Sequence, residues 1–348
     1  MQIKTGVLLI NLGTPDNPYK PAVRRYLNEF LTDGRVIDYP WLSRQLLVRG
    51  IIIPLRVANS SKAYQEIWDR ERGSPLLRHT TELAEAVQSL LDKEETPEQK
   101  YIIEMAMRYQ RPSIIKALEN LKEQHLHEII VFPLFQQYAS ASTGSVQEKV
   151  MSIVSKWLYI PDMRFIGSYH NRSEMIKVFA HHARKYDVKS YDHFIFSFHG
   201  LPQRQLKNSG HAGYCLSKPG CCEIYSEANH SCYAAQCYDT ARLIAKELDL
   251  ARNKYTITFQ SRLGKEPWAE PYTFETLKQY AQHGMKKILA FCPAFTADCL
   301  ETIYEMAVEN NEIFKDAGGD QLDLVESLNS DPAWAACIKE MIIENKRN

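Results

Sequence analysis

No stretch of this chain is apolar over anything approaching the length of a membrane span, and no basic block occurs before the terminal Lys346-Arg347 pair. Lys plus Arg and Asp plus Glu number 42 each. A transmembrane helix and a nucleic-acid-binding face are therefore not expected. An export signal is missing as well, because the residues after Lys4 read as a strand, so the expected setting is the cytoplasm. Neither a Gly-x-Gly-x-x-Gly turn after a strand nor a P-loop is present, and nucleotide binding lacks its usual signature.

What is present is a regular alternation. At 348 residues, 45% hydrophobic and 24% charged, the chain is globular and long enough for two domains. Apolar runs rich in β-branched and aromatic residues stand at 7–10, 101–107, 129–132, near 165, and at 194–198, 255–259 and 287–291. Helical patterns separate them, which predicts parallel sheets covered on both faces. The expected fold is α/β, with two Rossmann-like (flavodoxin-like) lobes and an active-site cleft between them. The first lobe is placed at 1–128, the second at 129–328 with a cysteine-rich insert at 211–237, and a closing helix at 329–348. In the first lobe Trp41, Leu42, Leu46, Leu47, Ile51, Ile52 and Leu55 form a broad helical stripe that is expected to be core. Arg44, Arg49 and Arg56 among them leave open a lip that touches a membrane or a flat apolar ligand. The small hydroxyl loop at 140–145 opens a helix, either as an anion site or as an ordinary cap.

The run Phe194-Ile195-Phe196-Ser197-Phe198 stops at His199-Gly200-Leu201-Pro202. Gly and Pro end a strand at once, so His199 falls at a strand's C-terminal end, the edge where open α/β sheets bind ligands. An imidazole there is a candidate for proton or metal chemistry. The alternative is a core histidine satisfied by a backbone carbonyl. Farther on, Asp298, Glu301, Glu305, Glu309 and Glu312 recur at helical spacing in a helix expected at 297–314, with no basic residue before Lys315. If that face is partly buried it needs a cation or protons to be tolerated. One imidazole and several hard oxygens suit a divalent first-row metal held weakly enough to be passed on. A solvated acidic face near a helix N-terminus is the plainer alternative. Of eight cysteines, Cys215, Cys221, Cys222, Cys232 and Cys237 cluster, while Cys292, Cys299 and Cys337 are scattered. In a chain without an export signal, such clustering favours a metal centre over disulfides.

Several short motifs carry a resemblance when taken together. They are Asn11-Leu12-Gly13-Thr14-Pro15, Gly73-Ser74-Pro75-Leu76, Met107-Arg108-Tyr109, Ser142-Thr143-Gly144-Ser145 and Ser197-Phe198-His199-Gly200-Leu201-Pro202, followed by Phe259-Gln260-Ser261-Arg262 with Glu266-Pro267-Trp268, and Ala297-Asp298-Cys299-Leu300-Glu301-Thr302. In this order, over nearly the whole chain, they resemble the ferrochelatases. The resemblance implies a class II chelatase architecture and insertion of Fe2+, the substrate metal, into a porphyrin with release of two protons, late in haem synthesis. It implies that His199 is the catalytic histidine, Glu301 the metal-handling glutamate and Glu305 a second acid one turn on, with His199 and Glu301 meeting the metal. Arg108 and Tyr109 become pocket residues, and Trp268 lines the porphyrin. Metallation must remove two pyrrole protons while iron sheds its ligands, so an imidazole and carboxylates are suitable groups. Mitochondrial relatives have histidine where Cys299 stands.

Protoporphyrin IX is the expected substrate. Coproporphyrin III, or another class II chelation of cobalt or sirohaem type, is the alternative, and the Trp268 and Arg108-Tyr109 matches argue against the latter. A non-enzymatic iron–sulfur redox sensor accounts for the cysteines but not for His199 and the acidic stripe. Residues 211–232 are extra relative to the plain family. A subset of bacterial ferrochelatases carries a [2Fe–2S] cluster there, and the resemblance extends to them. Four thiolates suffice for such a cluster. Neighbouring side chains usually diverge, so one of Cys221 and Cys222 is expected outside the ligand set, leaving Cys215, the other of the pair, Cys232 and Cys237. If Cys237, shared with cluster-free relatives, is not a ligand, both members of the pair are needed. Structural zinc, with His211 and His230 at hand, is the alternative. Peripheral contact with the inner face of a membrane, and a monomer or a homodimer, stay open.

Overall fold

The computed structural model describes residues 2–209, 214–216, 220–262, 264 and 266–346. Its strands are β1 (Ile3–Gly13), β2 (Gln99–Tyr109), β3 (Glu128–Pro133), β4 (Asp162–Phe165), β5 (His193–His199), β6 (Tyr255–Gln260), β7 (Lys287–Phe291) and β8 (Gln321–Leu324). They form two four-stranded sheets, in the orders β2-β1-β3-β4 and β6-β5-β7-β8. Every pairing is parallel. In both sheets the first strand in chain order lies between the second and the third, the flavodoxin-like order, whose ligands lie beyond the strands' carboxyl ends at the point of reversal.

The residues explain these sheets. Val7, Leu8, Leu9 and Ile10 are all fully buried, as are Ile195, Phe196, Ser197 and Phe198. A strand buried on both faces shows such an unbroken run instead of alternation, because crossover helices cover the sheet above and below. Phe196 stacks on Phe291 at 4.7 Å, and Leu277, Met306 and Phe314 pack on the β5–β7 side of the second sheet's core.

The chain divides into two compact units, residues 1–135 with 139–167 and 329–348, and residues 136–138 with 168–328. The first unit thus runs past the expected boundary at 128. β3 pairs residue by residue with Thr5–Ile10, so it and β4 complete the first sheet instead of opening the second. The closing helix Pro332–Asn345 also belongs to the first unit, where Trp334 is fully buried and Lys339 pairs with Glu94 at 3.0 Å. β8 was not anticipated, because four residues with only Leu322 buried give almost no pattern.

Two segments depart from the expected α-helices, and the loop expected at 140–145 takes the same form. Val48–Ile52, Ser140–Gly144 and Leu300–Asn310 are π-helical, with i→i+5 bonds, and only Asn311–Asp316 continues the last of them as α-helix. Apolar spacing of three and four residues does not separate the two helix types. The stripe expected to be core is corrected too: Trp41, Leu46 and Leu55 are 67%, 66% and 73% exposed, and Leu42 and Ile51 are exposed with them. Val48, Ile53 and Val57 supply the buried side. Periodicity says that a face is apolar; it does not say that anything covers it. Among the described residues no helix is long and apolar enough to cross a membrane.

Candidate active site

His199 ends β5, the strand on one side of the reversal in the second sheet. Its Nδ1 lies 2.7 Å from the Gly200 carbonyl oxygen. A carbonyl only accepts, so Nδ1 carries the hydrogen and Nε2 is the basic nitrogen of the ring. At the other end of the same strand His193 is bonded to Thr256 Oγ1 at 2.9 Å, and burial pushes its pKa down to about 4. His193 is therefore the satisfied core histidine, while His199 is half-buried at the ligand edge. Gly200 has no room for a side chain, since a Cβ would lie 2.9 Å from the Gln260 carbonyl oxygen and 3.3 Å from the Trp268 ring. The Trp268 and His199 rings are 6.5 Å apart, and among the described residues the buried Trp268 indole N–H has no partner.

The acidic residues do not act as one stripe. Asp298 is used locally, accepting from the Thr302 hydroxyl at 3.1 Å and the Ser327 amide at 3.2 Å, while Glu309 and Glu312 are exposed. Glu301 and Glu305 remain half-buried on the π-helix, and one dipeptide reaches both. Gln260, paired with His199 across β5 and β6, donates through Nε2 to the Glu301 carbonyl at 3.1 Å and accepts from Ser197 at 2.6 Å. Ser261, in the left-handed region at φ 67°, donates to Glu305 Oε2 at 2.7 Å. The sequence reading gave Gln260 and Ser261 no roles beyond the motif, although their place at a strand end after an apolar run was the signal. Cys299 is buried, and burial followed by its bond to Glu301 pushes its thiol well up, so it faces Glu301 as a neutral donor. Among the described residues, no three His, Cys, Asp or Glu groups meet as a ready-made cation site.

In the first unit Arg108 and Tyr109 end β2 around one carboxylate. Arg108 Nη2 lies 2.5 Å from Asp33 Oδ2, and the Tyr109 and Ser145 hydroxyls donate to the same oxygen at 2.9 and 2.6 Å. Burial alone would raise the Asp33 carboxyl; Ser145, the Arg35 amide, Arg108 and Tyr109 outweigh it and hold the group below the usual carboxylate range. Burial, with Asp33 beside it, pushes the Tyr109 hydroxyl up, so it stays a neutral donor. The loop at 140–145 is thus a π-turn that brings Ser145 to Asp33. Asp33→Asn should lower stability at pH 7 by about 3 kcal/mol, since it leaves a buried guanidinium without its counter-charge. Because the Asp33 pKa is lowered on folding, its contribution is present above the unfolded value and is lost as pH falls below about 4. Urea unfolding at both pH values checks this, and an unchanged midpoint at pH 7 contradicts it.

A cavity of about 640 Å³ opens in the same unit, lined by the first two motifs and the residues after Tyr109. Trp68, Ser74, Arg111, Ser113 and Lys116 face it, with the buried Thr14 hydroxyl, which has no partner among the described residues. Asp16 on its wall pairs with Arg25 at 3.3 Å. No ion pair reaches Arg111 or Lys116 among the described residues, so the wall carries two uncompensated cations. The helices Pro75–Asp92 and Ile114–Glu123 also begin here, after Ser74 and Ser113.

Four of the clustered cysteines line one spot in two close pairs, without meeting as a ready-made cation site. Cys215 and Cys232 have sulfurs 3.9 Å apart, Cys221 and Cys222 3.7 Å apart, and Cys222 also bonds Cys232. With Tyr214, Ala228 and Asn229 they line a closed spot. The expected divergence of Cys221 and Cys222 does not occur, because they sit in a turn after Gly220, at φ 71°, where adjacent side chains need not alternate. Thiol hydrogen bonds from Cys215 and Cys222, and the Ala234 and Ala235 amides at a helix start, hold Cys232 well below the usual thiol range. Cys237 stands apart inside the helix Tyr233–Glu247, its thiol pushed up by burial. His230 turns its Nδ1 to the Glu227 carbonyl at 2.8 Å, and His211, with Gly210, Gly213 and Pro219, lies outside the described residues.

The chain matches the family model described as Ferrochelatase over residues 4–346. Among relatives, the protein named Ferrochelatase of Legionella pneumophila (strain Lens) is 43% identical over 98% of this chain and 99% of its own. The one so named in Coxiella burnetii (strain Dugway 5J108-111) is 43% identical over 97% of this chain and 93% of its own. Among solved structures the fold is similar to SirB from Bacillus subtilis with Fe3+, at a TM-score of 0.53 and 12% identity over 98% of this chain and 95% of that one. The sirohydrochlorin chelatase SirB of Bacillus subtilis subspecies spizizenii, in complex with cobalt, gives 0.51 and 10% over the same shares. Matched from end to end by the family model and by relatives of the same name, with two flavodoxin-like sheets of the chelatase kind, the chain belongs to the ferrochelatase family.

Proposed function

We propose that the protein inserts Fe2+ into protoporphyrin IX, with His199 as the base and Glu301 and Glu305 as the carboxylates that handle metal and protons. The observation that carries the reading is the Nδ1 hydrogen held on the Gly200 carbonyl, which makes Nε2 the basic nitrogen of His199, the one suited to take a pyrrole proton. Gln260 and Ser261 extend from the neighbouring strand end to the π-helix, so the strand end of His199 is tied to the Glu301 backbone and to the Glu305 carboxylate. In the second unit Trp268 supplies an apolar face; in the first, Arg108 and Tyr109 are the residues that the family's pocket motif matches, with Asp33 fixing both. The two free cations of the first unit's cavity match two propionates better than four, which favours protoporphyrin IX over coproporphyrin III. Anaerobic turnover of Fe2+ with both porphyrins tests this. Turnover of neither overturns the reading, and a preference for coproporphyrin III reverses the substrate assignment.

The donor set of the cysteine segment fits a [2Fe–2S] cluster held by Cys215, Cys221, Cys222 and Cys232, with Cys237 outside it. A tetrahedral metal with thiolates at about 2.3 Å separates a pair of them by about 3.8 Å. Both sulfur pairs are near that spacing. When bound, the cluster supplies thiolate cross-links and a one-electron couple. Cys232→Ser should give colourless protein without visible [2Fe–2S] absorption, whereas Cys299→Ser, away from the segment, should stay coloured. One zinc and no sulfide in the purified protein would overturn the cluster and leave the chelatase reading standing. The exposed Trp41, Leu42, Leu46, Ile51 and Leu55 support peripheral membrane contact in the cytoplasm, which flotation with anionic vesicles tests.

A further inference from the structure

The peptide unit between His199 and Gly200 is held at both ends. Its N–H donates to the Gln260 carbonyl at 2.8 Å, across the β5–β6 ladder. Its carbonyl accepts from the Tyr233 hydroxyl at 2.9 Å. Tyr233 is buried and lies in the first turn of the helix Tyr233–Glu247, directly after Cys232, so the hydroxyl reaches back from the cysteine segment to the strand end. The next carbonyl along the chain, that of Gly200, is the one that holds the His199 Nδ1 hydrogen. Rotating the 199–200 peptide would therefore move the ring and the acceptor that selects its tautomer. Gln260 alone fixes the N–H end and cannot prevent a tilt at the carbonyl end. With no side chain on Gly200, the local backbone resists such a tilt weakly.

We infer that Tyr233 is a positioning residue for metallation: its hydroxyl pins the His199 carbonyl, sets the imidazole so that Nε2 is the basic nitrogen, and makes the cysteine segment a support for the catalytic strand end. The inference rests on the reading of His199 as the metallation base. Tyr233 is not among the residues that line the cavity of the first unit or the spot between the cysteines.

The test is Tyr233→Phe in the full-length protein, which removes one oxygen and keeps the ring. With Fe2+ and protoporphyrin IX, kcat should fall about tenfold, the size carried by one buried hydrogen bond, while KM for the porphyrin stays within about twofold. The visible absorption of the protein should not change. Nitrogen NMR of histidine-labelled protein, with His199 assigned by its loss in His199→Gln, should show the Nδ1–H tautomer in the unsubstituted protein and a mixture of tautomers in Tyr233→Phe. A kcat within about twofold of normal, or an equal loss in kcat and KM, overturns the inference. If Tyr233→Phe does not fold, the unsubstituted protein still decides, because an Nε2–H tautomer at His199 contradicts the geometry. Should the unsubstituted protein metallate no porphyrin, the proposed activity fails, while the two tautomer spectra still show whether Tyr233 sets the ring.

Discussion

His199→Ala is expected to lower the rate of porphyrin metallation by at least about a hundredfold, the ordinary scale of a lost general base, while porphyrin binding stays within about twofold. Binding should survive because a flat macrocycle is held mainly through its apolar faces and its carboxylates. The proposed apolar face is that of Trp268, which does not depend on the imidazole. The rate should not survive, because among the described strand-end groups the imidazole is the one with a nitrogen basic enough to take a proton near neutral pH. Ser197 and Gln260 are engaged with each other at 2.6 Å, and Cys292, raised by burial, is a neutral thiol. Folding is not at stake in this variant. His199 is half-buried, and its Nδ1 bond is to the adjacent residue, whereas His193 at the other end of the strand is the buried one. Porphyrin fluorescence quenching gives the binding constant and anaerobic assay the rate; a near-normal rate removes His199 from the chemistry.

Glu301→Gln should reduce kcat by about a hundredfold, and Glu305→Gln by clearly less. The amide keeps the volume of the side chain, and the Glu301 backbone carbonyl keeps its bond from Gln260, so the π-helix stays in place and only the charge is lost. Glu301 receives the neutral thiol of Cys299, which orients its carboxylate without neutralising it. Glu305 already accepts from Ser261, so its replacement by an amide retains part of that contact. Equal and negligible effects of both substitutions would mean that the acidic face is merely solvated. Cys299→Ser should be mild on the rate, since a hydroxyl donates to Glu301 as the thiol does.

The alternation of buried strands and amphipathic helices is local information, and the chain alone determined that both units are parallel α/β layers. Short runs such as Val7 to Ile10 and Phe194 to Phe198, the second broken only by Ser197, have the length and composition of strands covered on both faces, and Gly200 with Pro202 ends the second where His199 stands. The sorting of the strands was not local: whether β3 joins β1 or opens the second sheet depends on register with Thr5 to Ile10, which no pattern within 128–133 encodes. The covering of a face is equally non-local, so the stripe from Trp41 to Leu55 looked like core and is exposed. Three- and four-residue spacing is shared by α- and π-helices, so the acidic residues could be aligned from sequence, but their division into Asp298 at the cap, Glu301 and Glu305 beside the strand end, and Glu309 and Glu312 in solvent required the packed helix. The cysteines were legible as a metal-binding composition. Only the turn after Gly220 decided that Cys221 and Cys222 point the same way and that Cys237 stands apart, because side-chain direction depends on backbone dihedrals that sequence spacing leaves open.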